Sequence, residues 1–156
     1  MHILMCNDDG ILADGLRRLA SYLSQYYRIT VVAPANEQSA KSHALTTEIP
    51  LKLDAYNGED ENPRLYALTG TPSDCMKFGL SYLLIDDMPD LVISGINHGF
   101  NLGSDVLYSG TVSAAMESCF YGIPGLALSV ERYSPERGDE MHPFILELIR
   151  SEEHTS

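Results

Sequence analysis

The chain has 156 residues, of which 44% are hydrophobic and 21% charged, as is ordinary for one globular domain. Its net charge of −12 argues against general binding to nucleic acid or to anionic membranes, since both are polyanions. No apolar run approaches the length of a membrane span and no signal peptide is recognisable, so we expect a cytoplasmic protein. Three widely spaced cysteines without a CxxC pair agree with free thiols in a reducing compartment.

Strand and helix patterns alternate along the chain. Short runs of apolar and β-branched residues predict strands at residues 2–6, 28–33, 65–68, 89–94 and 124–130. Apolar residues at helical spacing predict helices at 14–27, 71–84, 109–120 and 142–149, with Asp14 and Thr71 as N-caps. This order predicts an α/β fold, in which helices cover a mostly parallel sheet joined by right-handed crossovers.

The segments between these elements are predicted to be loops. Residues 34–44 are polar, residues 45–53 are extended, and residues 54–64 form a solvated acidic turn. The glycine-rich stretch 95–103 is too long for a simple turn after a strand, which favours a functional loop. We take residues 1–149 as one domain and expect 150–156 to be a non-native tail, because they carry neither a helix cap nor a closing strand.

An acidic pair, Asp8-Asp9, follows the first predicted strand directly. In open α/β sheets ligands bind outside the carboxyl ends of strands, which is where this pair is expected to lie. Adjacent carboxylates repel each other and resist desolvation, and a hard divalent cation relieves both effects. A second interpretation stays open, in which one of the two caps the next helix and Gly10 forms the turn.

Three predicted loops follow parallel strands and therefore meet at one rim of the sheet: 7–10, 34–44 and 95–111. Together they offer the oxygen donors Asp8, Asp9, Ser39 and Asn97. Oxygen donors suit Mg²⁺, Mn²⁺ or Ca²⁺ better than zinc, which prefers cysteine and histidine. Taken singly, Ser39 is equally consistent with a loop hydroxyl and Asn97 with a turn-forming residue.

A second set of candidates is Asn101 together with Ser109, Gly110 and Thr111, which begin a predicted helix. Free N–H groups and the positive end of the helix dipole make such a position suitable for phosphate. The alternative is an ordinary serine or threonine N-cap. His98 could approach a leaving group, but without a diagnostically spaced partner a surface or loop position is favoured for both His98 and His43.

Several nucleotide and hydrolase signatures are absent from the sequence. GxxxxGK[ST] does not occur, which excludes a P-loop NTPase, and no GxGxxG follows the first strand, so a dinucleotide cofactor is unsupported. GxSxG is also missing, which argues against an α/β-hydrolase.

Five motifs together resemble the survival protein SurE family of metal-dependent nucleotide phosphatases. They occur in the family's order and cover residues 1 to about 130: NDDG at 7–10, VVAPANEQSA at 31–40, GTPSDC at 70–75, SGINHGFNLG at 94–103 and YSGTVSAAMES at 108–118. The resemblance implies a three-layer αβα, Rossmann-like fold. It also implies a chain that normally continues well beyond this length, with a C-terminal portion that is absent here.

The same resemblance assigns roles to individual residues. It implies one divalent metal ion on Asp8, Asp9, Ser39 and Asn97, and phosphate contacts from Asn101, Ser109, Gly110 and Thr111. Asp8 or Asp9 would also take part in catalysis. The implied activity is hydrolysis of nucleoside 5′- and 3′-monophosphates, by a homodimer or homotetramer.

Rival interpretations are a truncated fragment without activity and a receiver-like domain that binds metal and phosphate. A receiver also carries an acidic pair after its first strand, but its third strand should end in an acceptor aspartate. Here the corresponding residues are Ile93-Ser94-Gly95, without a carboxylate. A haloacid dehalogenase-like phosphatase would need DxDx[TV] after the first strand, and Asn7-Asp8-Asp9-Gly10-Ile11 does not supply it.

Overall fold

The structure is a computed structural model, and it describes residues 1–38 and 44–153. The strands it contains are β1 His2–Cys6, β2 Arg28–Pro34, β3 Leu53–Ala55, β4 Arg64–Leu68, β5 Leu91–His98 and β6 Gly125–Val130. The α-helices are α1 Asp14–Leu23, α2 Pro72–Phe78, α3 Gly110–Cys119 and α4 Pro135–Glu153. Within the described ranges, no helix is both long enough and apolar enough to span a membrane.

The strands form one six-stranded sheet in the order β3-β4-β2-β1-β5-β6. Every neighbouring pair is parallel except β3 with β4, which is antiparallel. The chain moves outward from β1 through β2 to β4 and then returns to the other side of β1 with β5. The loops that follow β1 and β5 therefore diverge, and the crevice between them is the position where open α/β sheets bind ligands.

Helices cover both faces of the sheet, which confirms the predicted three-layer αβα architecture. One face packs against α1 and α4 through residues such as Ile3, Met5, Ile29, Val31 and Ile93. The other face packs against α2 and α3 through residues such as Leu4, Cys6, Val32, Leu68 and Val92. Because successive strand residues point to opposite faces, a strand buried on both sides is largely apolar, as β1 is from Ile3 to Cys6.

The predicted bounds of the first two helices need correction. Asp14 is not an N-cap: Ala13 holds that position, and Asp14 lies in the first turn, where it accepts a hydrogen bond from the Tyr133 hydroxyl at 3.2 Å. The helix α1 ends at Leu23, four residues before its predicted end. Helix α2 ends at Phe78 and continues as the π-helical segment Gly79–Leu83.

Two further boundaries lie outside the predicted ones. Strand β5 continues to His98 through the glycine-rich stretch, because Asn97 and His98 resume pairing with β6 after an irregularity. Helix α4 begins at Pro135 and extends to Glu153, although we predicted it only for 142–149. Its early start has a local cause: proline suits the first helical position, and the Ser134 hydroxyl accepts a hydrogen bond from the Arg137 N–H at 3.3 Å.

Candidate active site

The loop after β1 is shaped by Asn7, which is fully buried. The Asn7 Nδ2 donates to the Gly10 carbonyl at 3.0 Å, and its Oδ1 accepts from the Gly10 N–H at 3.1 Å. Gly10 itself has φ 101°, a conformation that favours glycine. These contacts hold the loop closed, so the two intervening aspartates are presented in a defined position.

Asp8 lies against the N-terminus of α3. The Thr111 hydroxyl donates to Asp8 Oδ1 at 2.7 Å, although the two residues are 103 positions apart. A Cβ placed on Gly110 would lie 3.0 Å from the Asp8 Cβ, so the glycine allows the close approach. The structure thus joins the end of β1 to the start of α3 across the crevice between β1 and β5.

Both carboxyl groups of the pair have a raised pKa. Burial raises the pKa of Asp8, and the Thr111 hydrogen bond only partly opposes this. Burial, followed by the charges of Asp8 and Glu37, raises the pKa of Asp9 to about 6, against the opposing influence of His98. The apo site therefore disfavours its own negative charge, which is the condition that a bound cation would reverse.

The third donor predicted for a cation, Asn97, stands near the end of β5. Its Nδ2 donates to the Gly99 carbonyl at 2.9 Å, which leaves its Oδ1 as the atom available to a cation. The next residue, His98, is exposed and lies close enough to Asp9 to lower the pKa of Asp9. Strand β5 therefore places Asn97 directly before a residue that lies close to Asp9.

The predicted phosphate-binding residues are placed as follows. Ser109 is the N-cap of α3, where its hydroxyl accepts from the Val112 N–H at 3.2 Å. Asn101 donates from Nδ2 to the Ser129 hydroxyl at 2.7 Å, on the strand that pairs with β5. Gly110 and Thr111 contact Asp8 as described, and their role toward phosphate stays a prediction.

Ser39 and His43 lie outside the described residues. Within 1–38 and 44–153, no group of three or more His, Cys, Asp or Glu side chains is arranged to hold a metal. A cation on Asp8 and Asp9 would thus draw its remaining protein ligands from neutral oxygens such as that of Asn97. An all-oxygen set with two carboxylates fits a hard divalent cation of the Mg²⁺, Mn²⁺ or Ca²⁺ type.

Two contributions to this site were not predicted from the sequence. One is the bracing role of Asn7, although an Asn three residues before a Gly is typical of such a turn. The other is the segment after β2: the Gln38 N–H donates to the Asp8 carbonyl at 2.7 Å, and the charge of Glu37 raises the pKa of both aspartates. A contact between loops carries no signal within either loop's sequence.

Replacing Asp9 with asparagine is expected to stabilise the metal-free protein at pH 8. The folded-state pKa of Asp9, about 6, exceeds its ordinary value of 3.8, so the ionised carboxylate destabilises the folded protein. This destabilisation is absent below about pH 4 and becomes complete as the pH rises through about 6. Asparagine carries no charge and avoids it. With solvent screening taken into account, the gain in unfolding free energy should be on the order of 1–2 kcal/mol. Urea unfolding in EDTA at pH 8 and pH 4.5 would measure it.

Asp60→Asn makes the same change of net charge at an exposed turn and serves as the matched control. The gain should shrink at pH 4.5, and Mn²⁺ should stabilise the wild type more than the Asp9 variant. Equal stability of wild type and Asp9→Asn at pH 8 would show that the ionised Asp9 carboxylate does not destabilise the folded protein.

Fold and site together define a class of protein. It is an open α/β protein in which an acidic pair and a helix N-terminus face each other at the crevice between β1 and β5. A family model described as Survival protein SurE matches residues 3–155. The chain therefore belongs to the SurE family, as the five motifs predicted.

Individual relatives agree with this assignment. A protein named 5'-nucleotidase SurE from Thermoanaerobacter sp. (strain X514) is 49% identical over 149 residues, which cover 96% of this chain and 58% of that relative. Another of the same name from Vibrio vulnificus (strain YJ016) is 50% identical over 130 residues, covering 83% of this chain and 49% of the relative. The chain thus matches 49–58% of the length of these relatives.

The fold has a close counterpart among solved structures. The crystal structure of SurE protein from Aquifex aeolicus superposes with a TM-score of 0.85 at 38% identity. The match covers 97% of this chain and 59% of that one. The Rossmann-like architecture predicted from the sequence is therefore confirmed.

Proposed function

We propose that this chain is a divalent-metal-dependent phosphomonoesterase, which hydrolyses nucleoside 5′-monophosphates, and also 3′-monophosphates, to nucleoside and phosphate. The observation that carries the proposal is the hydrogen bond from Thr111 to Asp8. It places a carboxylate pair suited to a cation directly against a helix N-terminus suited to a phosphate. The relatives named 5'-nucleotidase SurE support the substrate class.

Each part of the site has a role in this proposal. Asp8, Asp9 and Asn97, with Ser39, would hold the cation. A divalent cation bound there would supply Lewis acidity, which polarises phosphoryl oxygens and acidifies water. The α3 N-terminus from Ser109 to Thr111, with Asn101, would hold and orient the phosphate for in-line attack.

One carboxylate of the pair would have a further role. Asp8 or Asp9, ionised beside the cation, would accept the proton of an attacking water. His98 stands beside Asp9 on the exposed side of the site. That position suits the donation of a proton to a leaving alkoxide.

A receiver domain is the alternative with a similar acidic pair. Such a domain needs an acceptor aspartate at the end of the strand that corresponds to β5. Here β5 passes through Ser94 and Gly95 and continues to His98 without a carboxylate. No specific observation in the fold favours this alternative, and we do not propose it.

The direct test is phosphate release from nucleoside monophosphates by the purified chain, with Mn²⁺, with Mg²⁺ and with EDTA. We expect release with at least one metal ion and none with EDTA. No release from a folded, monodisperse sample would contradict the proposal for this chain and would favour the inactive-fragment interpretation. The same assay on a chain extended to the length of the relatives would then show whether the additional residues complete the site.

We also propose that the protein assembles as a homodimer or homotetramer, as the resemblance implies. Light scattering coupled to size-exclusion chromatography would measure the molar mass, for which the monomer value is 17.2 kDa. A monomer at micromolar concentration would contradict this part of the proposal without affecting the assignment of the site.

A further inference from the structure

A cavity of about 260 Å³ opens beside the candidate active site, at the carboxyl ends of β2 and β4. Its lining includes Asn36, Gln38, Ile49 and Leu68, together with three threonines. None of the described residues that line it carries a charge. In a chain with a net charge of −12, a cavity with this described lining, next to three carboxylates, is suited to an uncharged group.

The cavity and the acidic pair share a wall. Gln38 lines the cavity, and its backbone N–H donates to the Asp8 carbonyl at 2.7 Å. Glu37, between Asn36 and Gln38, lies near enough to both aspartates to raise their pKa values. Within segment 36–38, Asn36 and Gln38 therefore border the cavity, and Glu37 lies near the two aspartates.

A second connection between the cavity and Asp8 runs through the start of α2. Thr71 lines the cavity, and the following residue, Pro72, contacts the start of α3: its Cγ would lie 3.2 Å from a Cβ on Gly110. That same Cβ position is 3.0 Å from the Asp8 Cβ. If the phosphate of a ligand lies at the α3 N-terminus, the rest of that ligand can therefore reach the cavity.

Two side chains bring amide groups to the cavity. The three threonine hydroxyls are already hydrogen-bonded within the protein. The side-chain amides of Asn36 and Gln38 have no hydrogen-bond partner among the described residues. Each amide offers both a donor and an acceptor, and the exposed side chain of Ile49 adds apolar surface.

We propose that this cavity binds the nucleobase of the nucleotide substrate, and that Asn36 and Gln38 recognise its edge. The proposal rests on the proposed function, since it places the base of the same substrate. A nucleobase is a flat, uncharged ring with an apolar face and a donor–acceptor edge, and amide side chains pair with such edges. A concave site that combines apolar surface with a few polar groups is the usual form of a small-molecule site.

The test compares nucleotides with a substrate that lacks a base. Wild type, Asn36→Ala and Gln38→Ala are assayed on the four nucleoside 5′-monophosphates and on ribose 5-phosphate. Each variant should lower kcat/KM for its preferred nucleotides about tenfold and reduce the differences among bases. Activity on ribose 5-phosphate should stay within about twofold. Gln25→Ala removes an exposed amide in the turn after α1, outside the lining of this cavity, and is the matched control.

Two outcomes of this assay would overturn the proposal. An equal loss on ribose 5-phosphate would mean that segment 36–38 only shapes the acidic loop. Unchanged discrimination among bases would mean that neither amide reads the base.

A binding measurement separates this proposal from the proposed function. Titration calorimetry with free adenosine, guanosine, cytidine and uridine needs no catalysis. If the wild type binds a nucleoside and the two variants bind it about tenfold more weakly, the cavity proposal holds even where no phosphate is released. No nucleoside binding by the wild type, or equal binding by the variants, would overturn it.

Discussion

Replacing Asp8 with asparagine should lower metal-dependent phosphate release by at least about 10³-fold while leaving the fold intact. Asparagine matches the shape of aspartate, and its Oδ1 can still accept the Thr111 hydrogen bond, measured at 2.7 Å. What it lacks is the negative charge that draws a cation into a buried position. The variant should therefore lose cation affinity and activity together.

The measurement combines phosphate release with Mn²⁺ titration calorimetry on the same preparations. Asp86→Asn, an exposed position ahead of β5 and outside the site, provides the matched control for net charge and should behave as the wild type. Near-UV circular dichroism would establish that the Asp8 variant is folded. An Asp8→Asn protein with full activity and full Mn²⁺ affinity would be incompatible with a cation held by this pair.

The second large effect is expected at Gly95, in the middle of β5. A Cβ placed there would lie 2.3 Å from the Leu128 carbonyl oxygen of β6, and Gly95 has φ 126°. Alanine would therefore force β5 and the edge strand β6 apart next to Asn97. We expect Gly95→Ala to destabilise the protein by about 4 kcal/mol or to prevent folding.

Gly99→Ala is the matched control, because Gly99 has φ 105° but nothing within 4 Å of its Cβ position. It should cost only about 1–2 kcal/mol, which is the price of an unfavourable φ alone. Urea unfolding followed by circular dichroism gives both values. Equal destabilisation by the two substitutions would show that the contact with Leu128 is not what requires glycine at position 95.

The elements found correctly from the sequence are those whose residues explain them locally. Strand β1 is predicted as a strand because it is a short apolar run from Ile3 to Cys6, and most of β2 is likewise apolar. The placement of Asp8 and Asp9 followed from strand direction alone, since a carboxylate directly after a buried parallel strand must lie at the carboxyl rim.

The errors occur where a neighbouring element decides the conformation. Glycine and asparagine within residues 95–98 favour turns, yet pairing with β6 extends β5 through them. Proline is tolerated in the first turn of a helix, so Pro143 agrees with a helix that begins near residue 142, yet α4 runs from Pro135 to Glu153 with Pro143 in its interior. Buried Ile145, Leu146 and Ile149 pack this helix on the sheet, which outweighs the hydrogen bond that proline removes.

The candidate site was predictable as a set of residues but not as a geometry. The hydrogen bond between Asp8 and Thr111 joins positions that no local pattern connects. Nor could the sequence show that the residues flanking Glu37 border a separate cavity. Such details depend on the order of the strands in the folded sheet, which brings distant loops together.

The two hydrogen bonds between the Asn7 side chain and Gly10 have a consequence for the rate of cation binding. Because the hydrogen bonds that shape this loop, 3.0 Å and 3.1 Å, are internal, an arriving cation would not need to reorganise the backbone. Association should then be limited by loss of the cation's hydration water, and exchange between Mg²⁺ and Mn²⁺ should follow the ions' own water-exchange rates. Asn7→Ala, by releasing the loop, would convert that simple exchange into a process gated by loop rearrangement.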